Sequence, residues 1–376
     1  MTGRTLRALV TVDAVGGVWQ YGLDLARGLA ERGTQAVLAV CGPPPDAAQR
    51  AEAEQVPGAR LVETGLPLDW LVDDPAPVRE AGRRIGELAM DLGADLMQLN
   101  MPTLAACAGV RLPTVAVTHG CVATWWEGAR HGEALAPEYR WHRDLTGEGL
   151  RLADCVVAPS ASYAATIARH YRLGATPQVV HNGRTPLVSS PPEGPVARVL
   201  TVGRLWDGVK RADLLDRVAA RLDVPFNAAG TPVGPHGERV ELSHLRLLGH
   251  LDTPALAQRL RARPVFVSAA SFEPFGLAVL EAAQAGCALV LSDIDTFREL
   301  WDGAALFVPR GAGASEEVAY ARTIGALLDD PGLRAQLGEA ARRRAARYAP
   351  QAMADAMLAI YAAARTQHSS ARRNAA

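Results

Sequence analysis

The sequence predicts an α/β protein built of two doubly wound, Rossmann-like halves, and three observations carry that expectation. Short apolar runs alternate with helical patterns along the chain, and most runs are continuously apolar, as strands buried on both faces of a parallel sheet are. A stretch rich in Pro and Ser, PLVSSPPEGP at 186–195, breaks the alternation near its middle and reads as a linker. A chain of 376 residues has room for two or three domains of about 150 residues each.

Taken in order, the first half places strands at 6–12, 36–41, 60–64, 96–100, 114–118 and 155–158, with a weaker one at 178–181. A helix of about 17–31 ends at Gly33, a residue suited to the left-handed turn that closes a helix. After the linker, strands are expected at 199–202, 225–229, 245–248, 265–268, 288–291 and 305–308. A last helix from Pro350 to about Ala364 lies outside both series. The expected division is therefore 1–182 with 350–366, a linker at 183–195, a second domain at 196–349, and a polar tail at 367–376 that frays.

Composition narrows the class. The chain is 49% apolar and 21% charged, which supports a folded core rather than disorder. A net charge of −1 argues against a nucleic-acid partner or polybasic membrane attachment. The halves differ: residues 1–182 hold 16 basic and 20 acidic side chains, and 183–376 hold 23 basic and 20 acidic. An anionic ligand is better hosted by the second half. Of 39 basic residues, Lys210 is the single lysine. Arginine-favouring codons explain the other positions. They leave open what position 210 asks of a compact point charge that a planar guanidinium does not supply. Cys41, Cys107, Cys121, Cys155 and Cys287 are scattered and odd in number, as expected of reduced thiols in a cytoplasm. The N-terminal apolar run leads into a Gly-rich turn and reads as a strand, not a signal peptide. No run approaches the roughly 18 apolar residues of a membrane span.

Four segments carry candidate chemistry. Gly16 and Gly17 follow the first strand and open a helix, where glycine lets backbone approach a ligand and a helix start offers N–H groups to phosphate; a tight strand-to-helix turn explains them equally. His119 ends the strand at 114–118, the edge where ligands collect in doubly wound sheets. Trp125, Trp126 and Trp141 follow it, either as faces for sugar rings or as core. Arg204 follows a strand and Gly203, with Lys210 six residues on; two cations there can neutralise a departing diphosphate, or be solvated surface charges. The most specific segment is Glu273-Pro274-Phe275-Gly276-Leu277-Ala278-Val279-Leu280-Glu281. Here Pro274 suits a helix's first turn, and a helix from Phe275 would aim the N–H groups of Phe275, Gly276 and Leu277 at an anion or sugar oxygen. Glu281 would lie about two turns beyond Glu273 on a similar face. An acidic helix start stabilised by its dipole is the plainer reading. Asp293-Ile294-Asp295 has a DxD form that reads as loop capping.

Together these residues resemble the retaining, nucleotide-sugar-dependent glycosyltransferases of the GT-B fold, in family 4 (glycosyl transferases group 1). The resemblance covers nearly the whole chain. Gly16 and Gly17 match that family's glycine loop, His119 its strand-end histidine, Asn182-Gly183 the pair closing its N-terminal domain, and Arg204 and Lys210 its phosphate-binding pair. Glu273 to Glu281 match its E-x7-E motif, and Gly249-His250-Leu251 match, less specifically, the loop that receives the nucleobase. The resemblance implies that Glu281 holds ribose hydroxyls, that Glu273 faces the transferred sugar, and that Arg204 and Lys210 stabilise the leaving diphosphate with help from the Gly16–Gly17 backbone. It implies that His119 contacts the sugar or acceptor, and that Phe275, Gly276 and Leu277 bind the donor. It further implies two domains facing a cleft, a last helix crossing back to the first, and a metal-independent hexosyltransferase with no cofactor beyond its nucleotide-sugar co-substrate. UDP-sugar is the first expectation for the donor and GDP-sugar the second; the acceptor is a glycan, a lipid-linked sugar or a small molecule. Two departures stand out. Arg184-Thr185 occupy positions where the family often has an aliphatic residue and Asp. The first half is acidic, where lipid-modifying members often carry a basic surface. The alternatives are a catalytically silent nucleotide-sugar-binding subunit of a transferase complex and a GT-B nucleotide-sugar epimerase. A phosphorylase would need a larger chain and a cofactor lysine.

Overall fold

The computed structural model describes residues 5–188, 196–311 and 314–374. The chain separates into two compact units, Met1–Arg184 with Ala349–Ala376, and Thr185–Tyr348. Residues 189–195 of the expected linker, and 375–376 of the expected tail, lie outside the described residues.

In the first unit seven parallel strands form one sheet: β1 Arg7–Asp13, β2 Gln35–Cys41, β3 Ala59–Glu63, β4 Leu96–Leu99, β5 Thr114–Val117, β6 Cys155–Ala158 and β7 Gln178–Val179. They lie in the order β3-β2-β1-β4-β5-β6-β7. The period-2 alternation of a strand sorts β1 onto two faces. Val10 and Val12 pack with the helices Gly17–Ala30 and Pro350–Asn374, whereas Leu9 joins Ile85 and Ala81 of the helix Pro75–Asp91.

The terminal helix buries Met353, Met357, Ile360, Tyr361 and Ala364 in the core of this unit, a stripe at helical spacing. Each of the larger side chains contributes about 1.5–3 kcal/mol of hydrophobic stabilisation. The helix is seated closely. A Cβ placed on Gly28 would come within 2.6 Å of Ala354 Cβ. The expected frayed tail is corrected here: the helix runs on to Asn374, with Ser369 and Ser370 hydroxyls donating to carbonyls one turn back. His368 beside Asp154 holds this end to the sheet, with Nδ1 3.3 Å from Asp154 Oδ2. Gly183 and Arg184, expected to open the linker, belong to the first unit. The Gly183 N–H reaches Met353 Sδ, and Arg184 pairs with Asp24 at 2.9 Å, both side chains almost wholly buried.

The second unit repeats the architecture with six parallel strands: β8 Val199–Val202, β9 Phe226–Ala229, β10 Arg246–Gly249, β11 Val265–Ser268, β12 Leu289–Ser292 and β13 Leu306–Val308. Their order is β10-β9-β8-β11-β12-β13. One face packs Phe266, Leu289 and Leu291 on the helices Leu277–Gln284 and Pro331–Ala345. The other packs Val199, Val265 and Val267 on Ala212–Ala219 and Ala314–Asp329. In each sheet the strand order reverses once, between β1 and β4 and between β8 and β11. Such reversals leave a crevice beyond the carboxyl ends of the strands, where ligands bind. Among the described residues, no helix is long and apolar enough to cross a membrane.

Candidate active site

The second unit gathers its charged candidates at the β8/β11 reversal. Beyond β8 the chain passes Gly203 and Arg204, then makes a short 3₁₀ turn, Gly208–Lys210. Asp207 organises this turn. Its side chain accepts from the Val209 N–H at 3.3 Å, and its carbonyl accepts from the Lys210 N–H at 2.8 Å. Its other carboxylate oxygen accepts from Arg204 at 2.8 Å, while the guanidinium also lies 5.6 Å from the Trp206 ring. Beyond β11, the Ser271 N–H donates to the Val209 carbonyl at 2.8 Å, pinning the following loop to the same turn. Lys210 Nζ thereby meets Glu273 Oε2 at 2.5 Å, with both side chains mostly buried. The lysine stem runs across Gly203, where an added Cβ would lie 3.8–3.9 Å from its methylenes. A slender stem ending in a compact ammonium suits that passage better than a planar fork.

The Glu273–Glu281 segment corrects one expectation. Its helix begins at Leu277, not Phe275, and Gly276 is the N-cap at φ 94°. A left-handed residue cannot continue a helix, and only glycine adopts that conformation cheaply. Pro274 and Glu273 therefore stand in the preceding loop, and of Phe275, Gly276 and Leu277 only Leu277 lies in the helix. Phe275 is buried, its ring edge-on to Tyr348 at 5.5 Å. Glu281 sits on the helix and is 8% exposed. Gly249-His250-Leu251 close the edge strand β10, whose pairing with β9 is irregular there; Gly249 adopts φ 69° and His250 is exposed. The DxD segment is engaged otherwise, with both Asp293 oxygens accepting from Arg298 at 2.6 and 2.7 Å. Among the described residues no three His, Cys, Asp or Glu side chains gather as a metal site.

The first unit places its candidates at the β1/β4 reversal and on neighbouring β5. Gly16 caps the helix Gly17–Ala30. Asp13 Oδ1 accepts from the N–H groups of Val15 and Gly16 at 3.0 and 2.9 Å, so that the Gly16 donor is already engaged. His119 Nε2 lies 3.2 Å from Asn100 Oδ1, and its ring meets Tyr21 edge-on at 4.4 Å. The ring keeps some exposure yet is densely surrounded, and desolvation lowers its pKa to about 4. His119 is therefore neutral at pH 7. Beyond it, on the helix Val122–Ala129, Trp126 meets Tyr139 at 5.7 Å with Arg130 at 5.4 Å from the Trp126 ring. Residues that sequence reasoning missed are Gln98, Asn100 and Asp207. The signal for two of them was visible, since Gln98 and Asn100 are polar residues inside an apolar run.

Two reversed parallel sheets, one bearing a lysine–glutamate pair and an arginine at its crevice, define a two-domain protein of the GT-B fold. Sequence profiles agree: Glycosyltransferase Family 4 matches residues 15–186, and Glycosyl transferases group 1 matches 238–344. The chain belongs to the group 1/family 4 glycosyltransferases. It is 29% identical to glycogen synthase of Mycobacterium tuberculosis over 289 residues, which is 70% of this chain and 66% of that relative. Sucrose-phosphate synthase from Thermosynechococcus elongatus shares the fold at a TM-score of 0.76 and 20% identity, over 95% of this chain and 98% of the other. Anabaena HepE, solved in complex with UDP-glucose, does so at 0.71 and 18%, over 95% and 99%.

Proposed function

We propose that this protein transfers a glycosyl group from a nucleoside diphosphate sugar to a hydroxyl acceptor with retention at the anomeric carbon, and that it needs no metal. A UDP-sugar is the first expectation for the donor and a GDP-sugar the second; HepE, of the same fold, binds UDP-glucose. The acceptor is a glycan, a lipid-linked sugar or a small molecule. The observation that carries the reading is the Lys210–Glu273 pair at 2.5 Å, held beside Arg204 by the Asp207 turn. In the reaction, the bond from the anomeric carbon to the β-phosphate oxygen breaks and its electron pair stays with the phosphate. The acceptor oxygen bonds to the same face, and its proton passes to the departing phosphate. Lys210 and Arg204 stabilise the charge that grows on that phosphate, the place where fixed cations lower a barrier most. Glu273 holds the ammonium in place and faces the sugar, and Glu281 holds the ribose hydroxyls. In the first unit His119, neutral, hydrogen-bonds a hydroxyl and does not neutralise an anion.

The test is thermal-shift screening against UDP, GDP, ADP and their sugars, followed by donor hydrolysis and transfer with the best hit. Stabilisation by a uracil or guanine nucleotide with turnover is expected. No stabilisation by any nucleotide sinks the reading. Stabilisation without turnover in the presence of acceptors turns it into a silent nucleotide-sugar-binding subunit.

A further inference from the structure

Gln98 lies at the centre of the first sheet, wholly buried, on a strand that is otherwise apolar. A buried amide in such a place is costly unless its hydrogen bonds are made. Here they are made in a chain. Tyr361 Oη, on the terminal helix, donates to Gln98 Oε1 at 2.6 Å. Gln98 Nε2 donates to Tyr21 Oη at 3.0 Å and to Asn100 Oδ1 at 3.1 Å. Asn100 Nδ2 donates to the Thr11 carbonyl at 2.6 Å, and the Asn100 N–H donates to Thr11 Oγ1 at 2.9 Å. His119 Nε2 completes the chain at Asn100 Oδ1.

The direction of every bond follows from one group. The Thr11 carbonyl can only accept, so it faces the Asn100 NH₂ and leaves Oδ1 toward Gln98 and His119. An amide oxygen cannot donate, so His119 must donate from Nε2. In a neutral imidazole the other nitrogen is then an acceptor. Gln98, presenting its NH₂ to Asn100, must turn Oε1 toward Tyr361, whose hydroxyl is the donor it needs.

We propose that Asn100 is a positioning residue that holds His119 as the Nε2–H tautomer, leaving Nδ1 to accept a hydrogen bond from a substrate hydroxyl, and that Gln98 and Tyr361 lock Asn100 in that orientation. The ligand class follows. An acceptor nitrogen on an uncharged ring selects a hydroxyl, and it repels a phosphate or carboxylate oxygen. The terminal helix thereby acts on the site through a hydroxyl placed 263 residues from its partner in sequence. The assignment of a substrate hydroxyl rests on the transferase reading; the tautomer does not.

The experiment is ¹⁵N–¹H correlation of the histidine rings in the full-length protein without ligand, with His119 assigned by loss of its signals in His119→Asn. The wild-type ring should show the Nε2–H pattern at neutral pH. An Nδ1–H ring overturns the proposal without any variant. Asn100→Leu, close in shape, should give a mixture of tautomers and lower kcat about tenfold with the donor KM unchanged. A pure Nε2–H ring with full kcat in that variant overturns it. Tyr361→Phe keeps the ring packing and should shift the tautomer ratio in the same direction, with kcat reduced about two- to fivefold. No change in either removes the terminal helix from the device. If the wild-type protein shows an Nε2–H ring and transfers nothing, the transferase reading fails and the relay stands.

Discussion

The two units use one topology and fill its reversal point with opposite chemistry. Around the β1/β4 reversal and at the end of neighbouring β5 the first unit places amides, hydroxyls and a neutral imidazole, joined by the Tyr361–Gln98–Asn100–His119 chain, while the Asp13 carboxylate there accepts from the Val15 and Gly16 N–H groups. Between β8 and β11 the second unit places Lys210, Glu273, Arg204 and Asp207, joined by ion pairs. A parallel sheet provides the same crevice in each, so the backbone does not choose the ligand. The side chains at the strand ends choose it. Neutral donors and acceptors suit hydroxyls, whose recognition depends on direction. Fixed cations suit a diphosphate, whose recognition depends on charge.

The comparison can be broken or sharpened in four ways. The largest effect is expected in the first unit away from its crevice, at the buried Arg184–Asp24 pair. Arg184→Ala removes the buried partner of Asp24 Oδ2 and leaves the carboxylate to Arg27, 3.1 Å from Oδ1, so it should lower stability by about 3 kcal/mol, read by chemical denaturation. A loss under about 1 kcal/mol would mean that Arg27 alone suffices for Asp24. Next, Lys210→Ala should raise the transfer barrier by about 2–4 kcal/mol, read as kcat/KM. Lys210→Arg should be impaired as well, because the wider fork must pass Gly203 to reach Glu273. An arginine variant of full activity would show that charge alone matters there.

A third test is pH. The folded-state pKa of His119 lies near 4, below its ordinary value of 6.5. Between those values the unfolded chain binds a proton that the native ring refuses, so this residue's effect is to erode stability as pH falls from about 6.5 to about 4. Denaturation midpoints of His119→Asn should lack that component. A variant whose midpoint falls in parallel with the wild type would place the charged form of His119 in the native protein. The smallest effect is expected from Asp207→Asn, which can still cap the turn but loses the charge beside a half-exposed Arg204. It should cost about 1 kcal/mol or less in kcat/KM. A loss as large as that of Lys210→Ala would make Asp207 an equal partner in the charged site.

Much of this was legible in the residues. The apolar runs located all thirteen strands of the described residues to within a residue or two, since the continuous apolar character of such strands is a local property. The E-x7-E segment and the lysine six residues after Arg204 singled out the charged crevice. Gly276 was legible as a special residue but not as a left-handed N-cap, because a glycine in a helical pattern does not announce its φ. The tail was misjudged because its polar composition conceals the His368–Asp154 contact that holds the helix down.

The sequence by itself determined the two alternating series, the break between them and the candidate cations and carboxylates, all of which depend on neighbours a few residues apart. Only the tertiary structure decided who partners whom. Lys210 and Glu273 are 63 residues apart, Asp24 and Arg184 160, and Gln98 and Tyr361 263. Lys210 and Glu273 meet because the strand order jumps from β8 to β11, Gln98 and Tyr361 because the last helix returns to the first sheet, and Asp24 and Arg184 because the segment after β7 comes back to the helix Gly17–Ala30. Crossovers of that kind leave no periodic trace in the chain, so the chemistry that they bring together appears only when the sheets are assembled.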